Sequence, residues 1–145
     1  MRDLRSVLQV SVRLSEGGAA GVARNLSREL EARGVLSPIA YGYSVGGRRS
    51  PMEEAYTTVR ITPAAVAAAN RLAFPVLGDE TPLKGHRSWS GFREAVRRAD
   101  VVHFHAVHSH VGRVADLAAV VRDLKRPLVW TMHDQWHFTG RCAQP

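Results

Sequence analysis

Short apolar runs of strand character alternate with segments of helical period along this chain, and that alternation restricts the architectures open to it. Val7–Val12 is a β-rich run that stops at a glycine-bearing turn, Ser15-Glu-Gly-Gly18. Ala19, Val22, Ala23, Leu26 and Leu30 then share one helical face, while Arg24, Asn25, Arg28 and Glu31 point away. Gly34 supplies a left-handed stop for that helix. Pro38–Tyr43 reads as a second strand, Gly46–Pro51 as a loop and Tyr56–Ile61 as a third strand. Thr62-Pro63 has the form of an N-cap followed by proline at the first helical position, opening an alanine-rich helix to Leu72. Residues 74–89 hold two prolines, two glycines and several charges, the composition of a mobile loop. Ser90 is expected to cap a short helix through Arg98, and Asp100 leads into the strand Val101–His105. Val111, Val114, Leu117, Ala118, Val121 and Leu124 form one apolar stripe, Pro127 closes that helix, and Leu128–Met132 is a fifth strand.

Strands separated by helices have to run parallel, because each crossover returns the chain to the same edge. The expected fold is therefore an α/β, Rossmann-like parallel sheet of at least five strands with helices on both faces, spanning residues 1–145 as one domain. Such sheets bind ligands at the carboxyl ends of their strands. Three polar groups converge on that edge: the glycines after the first strand, the histidines after the fourth, and His133-Asp134 after the fifth.

Composition narrows the partners. No run approaches the roughly 18 apolar residues of a membrane span, and the N-terminus has no apolar export region, so a cytoplasmic location is expected. The single cysteine, Cys142, leaves no internal disulfide and fits a reducing compartment. Twenty Lys and Arg against 13 Asp and Glu give a formal charge of +7, which attracts anions. The basic residues are scattered and not interleaved with aromatics, so nucleic acid is not an expected partner. A peripheral contact with anionic membrane, at the inner face, is compatible with the charge.

Gly17-Gly18-Ala-Ala-Gly21 lies between strand and helix, where bare amides and the helix dipole favour a phosphate. It is not the dinucleotide fingerprint, no acidic residue ends the second strand, and no P-loop lysine is present. The plain alternative is a tight turn. Four of the seven histidines fall in Val101-Val-His-Phe-His-Ala-Val-His-Ser-His110. His103, His105, His108 and His110 resemble the H-x-H-x-D-H run of metallo-β-lactamase-type hydrolases, although Val107 stands where that motif needs its aspartate. A metal-dependent hydrolase built on these four is thus one reading; histidines lining a polar substrate cleft are another, and satisfied or solvent-facing imidazoles a third. Asp134 could orient His133 or cap the following turn, and Trp136 and Phe138 could stack on a sugar or base or belong to the core.

The segments Glu16–Leu26, Ala99–His105 and Pro127–Asp134, in this order, resemble the N-terminal domain of a GT-B-fold, family 4 (group 1) glycosyltransferase. The tail His133–Cys142 is similar to a subset linked with exopolysaccharide assembly. The resemblance implies an enzyme that transfers a sugar from a nucleotide-sugar donor to a glycan, lipid-linked or small-molecule acceptor, with retention of anomeric configuration. It implies no metal and no cofactor beyond the nucleotide-sugar co-substrate. Carried over by position, Gly17 and Gly18 would approach the donor diphosphate. His133 and Asp134 would be catalytic, at the donor sugar. His105, His108, His110 and Trp136 would form the acceptor side. The C-terminal donor-binding domain of that family is absent from these 145 residues, so the chain is expected to be a truncated half that is inactive alone. A non-catalytic nucleotide- or glycan-binding module is the remaining alternative.

Overall fold

The first strand, β1 (Val7–Ser11), is buried along its whole length, as befits the middle of a sheet covered on both faces. The computed structural model describes residues 3–43, 51–78, 89–109 and 111–136. Within them, β1 is followed by α1 (Gly18–Ala32), β2 (Ile39–Tyr41), α2 (Met52–Ala55), β3 (Thr58–Arg60) and α3 (Ala64–Leu77). The rest are α4 (Ser90–Arg98), β4 (Val101–Phe104), α5 (Val114–Asp123) and β5 (Leu128–Trp130). The five strands form one parallel sheet in the order β3-β2-β1-β4-β5. The chain winds outward from β1 in one direction and from β4 in the other, so the winding reverses between these neighbours. This is the Rossmann-like α/β fold that the alternation predicts.

Alternation along each strand sorts side chains between the two faces. Leu8, Val10, Val102 and Phe104 enter a core with Phe92 and Val96 of α4 and Leu117, Val120 and Val121 of α5. Burying one such Val, Leu or Phe side chain contributes about 1.5–3 kcal/mol. The opposite face receives α1, whose buried residues, Ala20, Ala23 and Ser27, are all small. Leu14, Ile39 and Tyr41 form a second cluster, flanked by Tyr56. The Asp100 carboxylate accepts from the backbone N–H groups of Arg5 (2.9 Å) and Ser6 (3.1 Å), fastening the start of β1 beside the start of β4.

Four local expectations need correction. Trp89, not Ser90, is the N-cap of α4. Pro63, not Thr62, is the N-cap of α3; the Thr62 hydroxyl donates instead to the Val111 carbonyl, tying the exit of β3 to the segment before α5. That helix does not stop at Leu72 but runs through Pro75 to Leu77. Proline removes only one i−4 bond there, in an exposed stretch where water can serve the freed carbonyl, and Gly78 (φ 64°) ends the helix by donating to Phe74 O. α3 thus takes up 74–77 of the loop expected over 74–89, whose residues 79–88 lie outside the described residues, as do 46–50 of the expected 46–51 loop. Trp89 closes that stretch as a buried side chain, edge-on to Phe92. The short α2 was not expected. Among the described residues, no helix is long and apolar enough to cross a membrane.

Candidate active site

The reversal between β1 and β4 leaves a gap at the carboxyl edge, because the connections leave in opposite directions. A cavity of about 750 Å³ occupies it, lined among others by Ser11, Gly17, Gly18, His108, His133 and Asp134. Backbone hydrogen bonds hold its rim: Val12 N–H donates to Ala106 O, Gly42 N–H to Ser11 O, and Thr131 N–H to Phe104 O. Gly42 is a point of close backbone approach. A Cβ there would collide with the Val111 side chain and stand 2.8 Å from the Val12 carbonyl oxygen.

Gly17 is the N-cap of α1 at φ 87°, ψ 160°, a region that only glycine adopts without strain. Among the described residues no side chain caps this helix end, and its first turn lines the cavity, so its orphan amides meet no competing side-chain acceptor there. Ser11, at the end of β1, is 1% exposed, and its hydroxyl has no hydrogen-bond partner among the described residues. A buried hydroxyl left unpaired costs about 1–3 kcal/mol, so this one is suited to a ligand group. Arg13 brings a cation to the mouth, paired with Glu16 and lying over the Tyr43 ring, 5.5 Å from its centroid.

The histidines divide in two: His103, His105 and His133 lie in a row, with ring centroids 4.2 and 5.3 Å apart, and His108 pairs with Asp134. His103 Nε2 meets the Thr131 hydroxyl at 2.8 Å. His105 is fully buried, with Nε2 2.8 Å from Gln9 Oε1 and Nδ1 3.0 Å from His133 Nε2. Burial first, and the adjacent His103 and His133 second, push the His105 imidazole down to about 3. His103 is lowered for the same kind of reason, burial and then His133. His108 donates from Nε2 to Asp134 Oδ2 at 2.9 Å, faces the Ser109 hydroxyl through Nδ1 at 2.6 Å, and stacks on Trp136 with ring centroids 5.1 Å apart. Ser109 itself sits at φ 62°, an uncommon conformation for serine. Among the described residues, no group of three or more His, Cys, Asp or Glu side chains could hold a metal ion.

These contacts revise two residue assignments. Asp134 does not orient its neighbour His133: it pairs with His108, 26 residues away, and its other oxygen accepts from the Trp136 N–H at 3.1 Å. His105, expected on the acceptor side, has both ring nitrogens engaged and no exposed surface, so it lies beneath the cavity and holds His133. Gly17, Gly18, His108, His133 and Asp134 do come together, with Trp136 behind His108. His110, Phe138 and Cys142 lie outside the described residues. Gln9, Ser11 and Arg13 were missed. The signal for the first two was present: polar residues inside a strand that must be covered on both faces need a partner or a ligand.

A doubly covered parallel sheet with a polar cavity at its reversal point, beside a glycine-opened helix, defines a Rossmann-like α/β domain. The family model for Glycosyltransferase Family 4 matches residues 16–144, and the chain belongs to that family. It is 37% identical, over 95% of its own length, to the "Putative colanic acid biosynthesis glycosyl transferase WcaC" of Escherichia coli (strain K12). The chain spans 35% of that relative's length. No solved structure gives a significant match.

Proposed function

We propose that this chain is the acceptor-side half of an enzyme that transfers a sugar from a nucleotide-sugar to a glycan, lipid-linked or small-molecule acceptor, with retention. The observation that carries the reading is the convergence of the bare start of α1, the unpartnered Ser11 hydroxyl and His133 on one cavity of about 750 Å³. The first two suit phosphate oxygens, since amides and a hydroxyl offer donors and a helix N-terminus favours negative charge. His133 is the group assigned to the sugar, and the His108–Asp134–Trp136 unit offers a flat, polar wall for the acceptor. The relative's printed role in colanic acid biosynthesis favours an exopolysaccharide acceptor. The reading needs no metal, and the formal charge of +7 supports a peripheral contact with anionic lipid.

The test is transfer by the full-length protein across a panel of nucleotide-sugars, with release of nucleoside diphosphate and the anomeric configuration of the product read by NMR. Gly17→Ala, which forces a side chain into a glycine-only conformation, should raise the donor KM about tenfold while leaving the fold intact. Absence of binding to every nucleotide-sugar, or an inverted product, would sink the proposal.

A further inference from the structure

We propose that Gln9 is a positioning residue for this site: acting through His105, it sets which ring nitrogen of His133 carries the proton, so that His133 offers Nδ1 to the cavity as a hydrogen-bond acceptor. The relay itself stands on hydrogen-bond geometry, and its bearing on catalysis rests on the function proposed above.

Gln9 and His105 are both fully buried, so water cannot exchange for their partners. The Gln9 amide donates from Nε2 to the Ser37 hydroxyl at 3.2 Å, and Ser37 is in turn held by α1, because the Ser27 hydroxyl donates to its carbonyl. This leaves Gln9 Oε1 facing His105 Nε2 at 2.8 Å. An amide oxygen only accepts, so His105 must carry its proton on Nε2. Burial and the flanking imidazoles keep this ring neutral at ordinary pH, and a neutral imidazole has one N–H. His105 Nδ1 is therefore bare, and the 3.0 Å contact to His133 requires His133 Nε2 to donate. When His133 is neutral, its Nδ1 then holds a lone pair. No hydrogen bond reaches that nitrogen among the described residues, and His133 lines the cavity.

The chain of hydrogen bonds thus has a direction, written by the orientation of one amide in β1 and delivered beyond the end of β5. A ring presenting a lone pair accepts from a hydroxyl or faces developing positive charge; the opposite tautomer would donate to an oxygen. A purely structural tie between β1, β4 and the segment after β5 would work equally well in either direction. That difference makes the relay testable.

The experiment uses the full-length protein labelled with ¹⁵N-histidine, and reads each ring's tautomer by long-range ¹H–¹⁵N correlation. His105 and His133 should both be Nε2–H in the wild type. In Gln9→Glu the carboxylate attracts a second proton onto His105, whose Nδ1–H then donates to His133. The His133 signal should switch to Nδ1–H, and kcat should fall about tenfold with acceptor KM nearly unchanged. Gln9→Met, an apolar side chain of similar length, removes the directing oxygen without burying charge; His133 should then show both tautomers. Should Gln9→Glu fail to fold, Gln9→Met and the wild-type spectrum still decide the matter. An Nδ1–H tautomer at His133 in the wild type overturns the proposal, as does an unchanged Nε2–H signal in Gln9→Met. If the tautomers behave as described but His133→Ala transfers sugar normally, the relay stands and the assigned role of His133 falls. If His133→Ala is inactive while the tautomers ignore Gln9, the relay falls and the function stands.

Discussion

Acidification should destabilise this domain through His105, and the size of the effect can be worked from its environment. The folded ring is pushed down to about 3 from an ordinary 6.5 by burial and by two neighbouring imidazoles. The unfolded chain therefore takes up the proton first. A histidine whose folded pKa is depressed contributes its full stability above 6.5 and loses it as the pH falls from there toward 3. Between about pH 8 and about pH 5 the unfolded state gains roughly 2 kcal/mol by binding that proton. The loss continues down to the folded pKa. Urea unfolding followed by tryptophan fluorescence at the two pH values measures it as a shift in midpoint at constant slope. His105→Gln supplies the control: its amide can still donate to Gln9 but does not titrate. The variant should be less stable at about pH 8 yet lose about 2 kcal/mol less than the wild type on acidification. His103, also lowered, remains in both proteins and cancels in the comparison. Equal acid sensitivity in the two proteins would refute the argument, because the proton would then be entering elsewhere.

His133→Ala in the full-length enzyme should cut kcat by roughly 10²-fold, about 2.7 kcal/mol, with a nearly unchanged melting temperature; steady-state kinetics and calorimetry check the two halves. His108→Ala should act mainly on acceptor KM, since it loosens Asp134 and Trp136 without touching the His105–His133 contact. Gly42→Ala should destabilise by about 1–3 kcal/mol in chemical denaturation, because the added methyl meets Val111 and the Val12 carbonyl. If the positive charge serves a membrane contact, vesicles with anionic lipid should sediment the protein at low salt and release it at high salt; indifference to lipid charge leaves the +7 without that role.

The five strands and the edge where their polar residues meet were legible because both follow from periodicity and from the rule that crossovers return to one edge. α1 and its stop at Gly34 were legible for the same reason, a stripe of apolar residues ending in a left-handed glycine. Partner choice was not. Asp134 was open to orienting His133 or capping the following turn; one oxygen does the latter, on the Trp136 N–H, and the other pairs with His108, 26 residues away, which no local pattern signals. Gln9 and Ser11 alternate with Leu8 and Val10, the pattern of a half-exposed strand, although β1 is buried throughout. Alternation reports which residues face the same way, not whether the second face is covered. The run of α3 through Pro75 escaped detection because proline forbids one hydrogen bond, not a whole exposed turn.

Gln9 is fully buried in β1 and is not among the residues that line the cavity. A mutational library confined to the walls of the cavity would leave that position constant, and a screen for altered sugar preference would then explore only one polarity of His133. Randomising Gln9 and His105 together, before any wall residue, opens the other polarity. Selection for new donors in this scaffold should therefore begin at β1 and β4, with the cavity lining left for the second round.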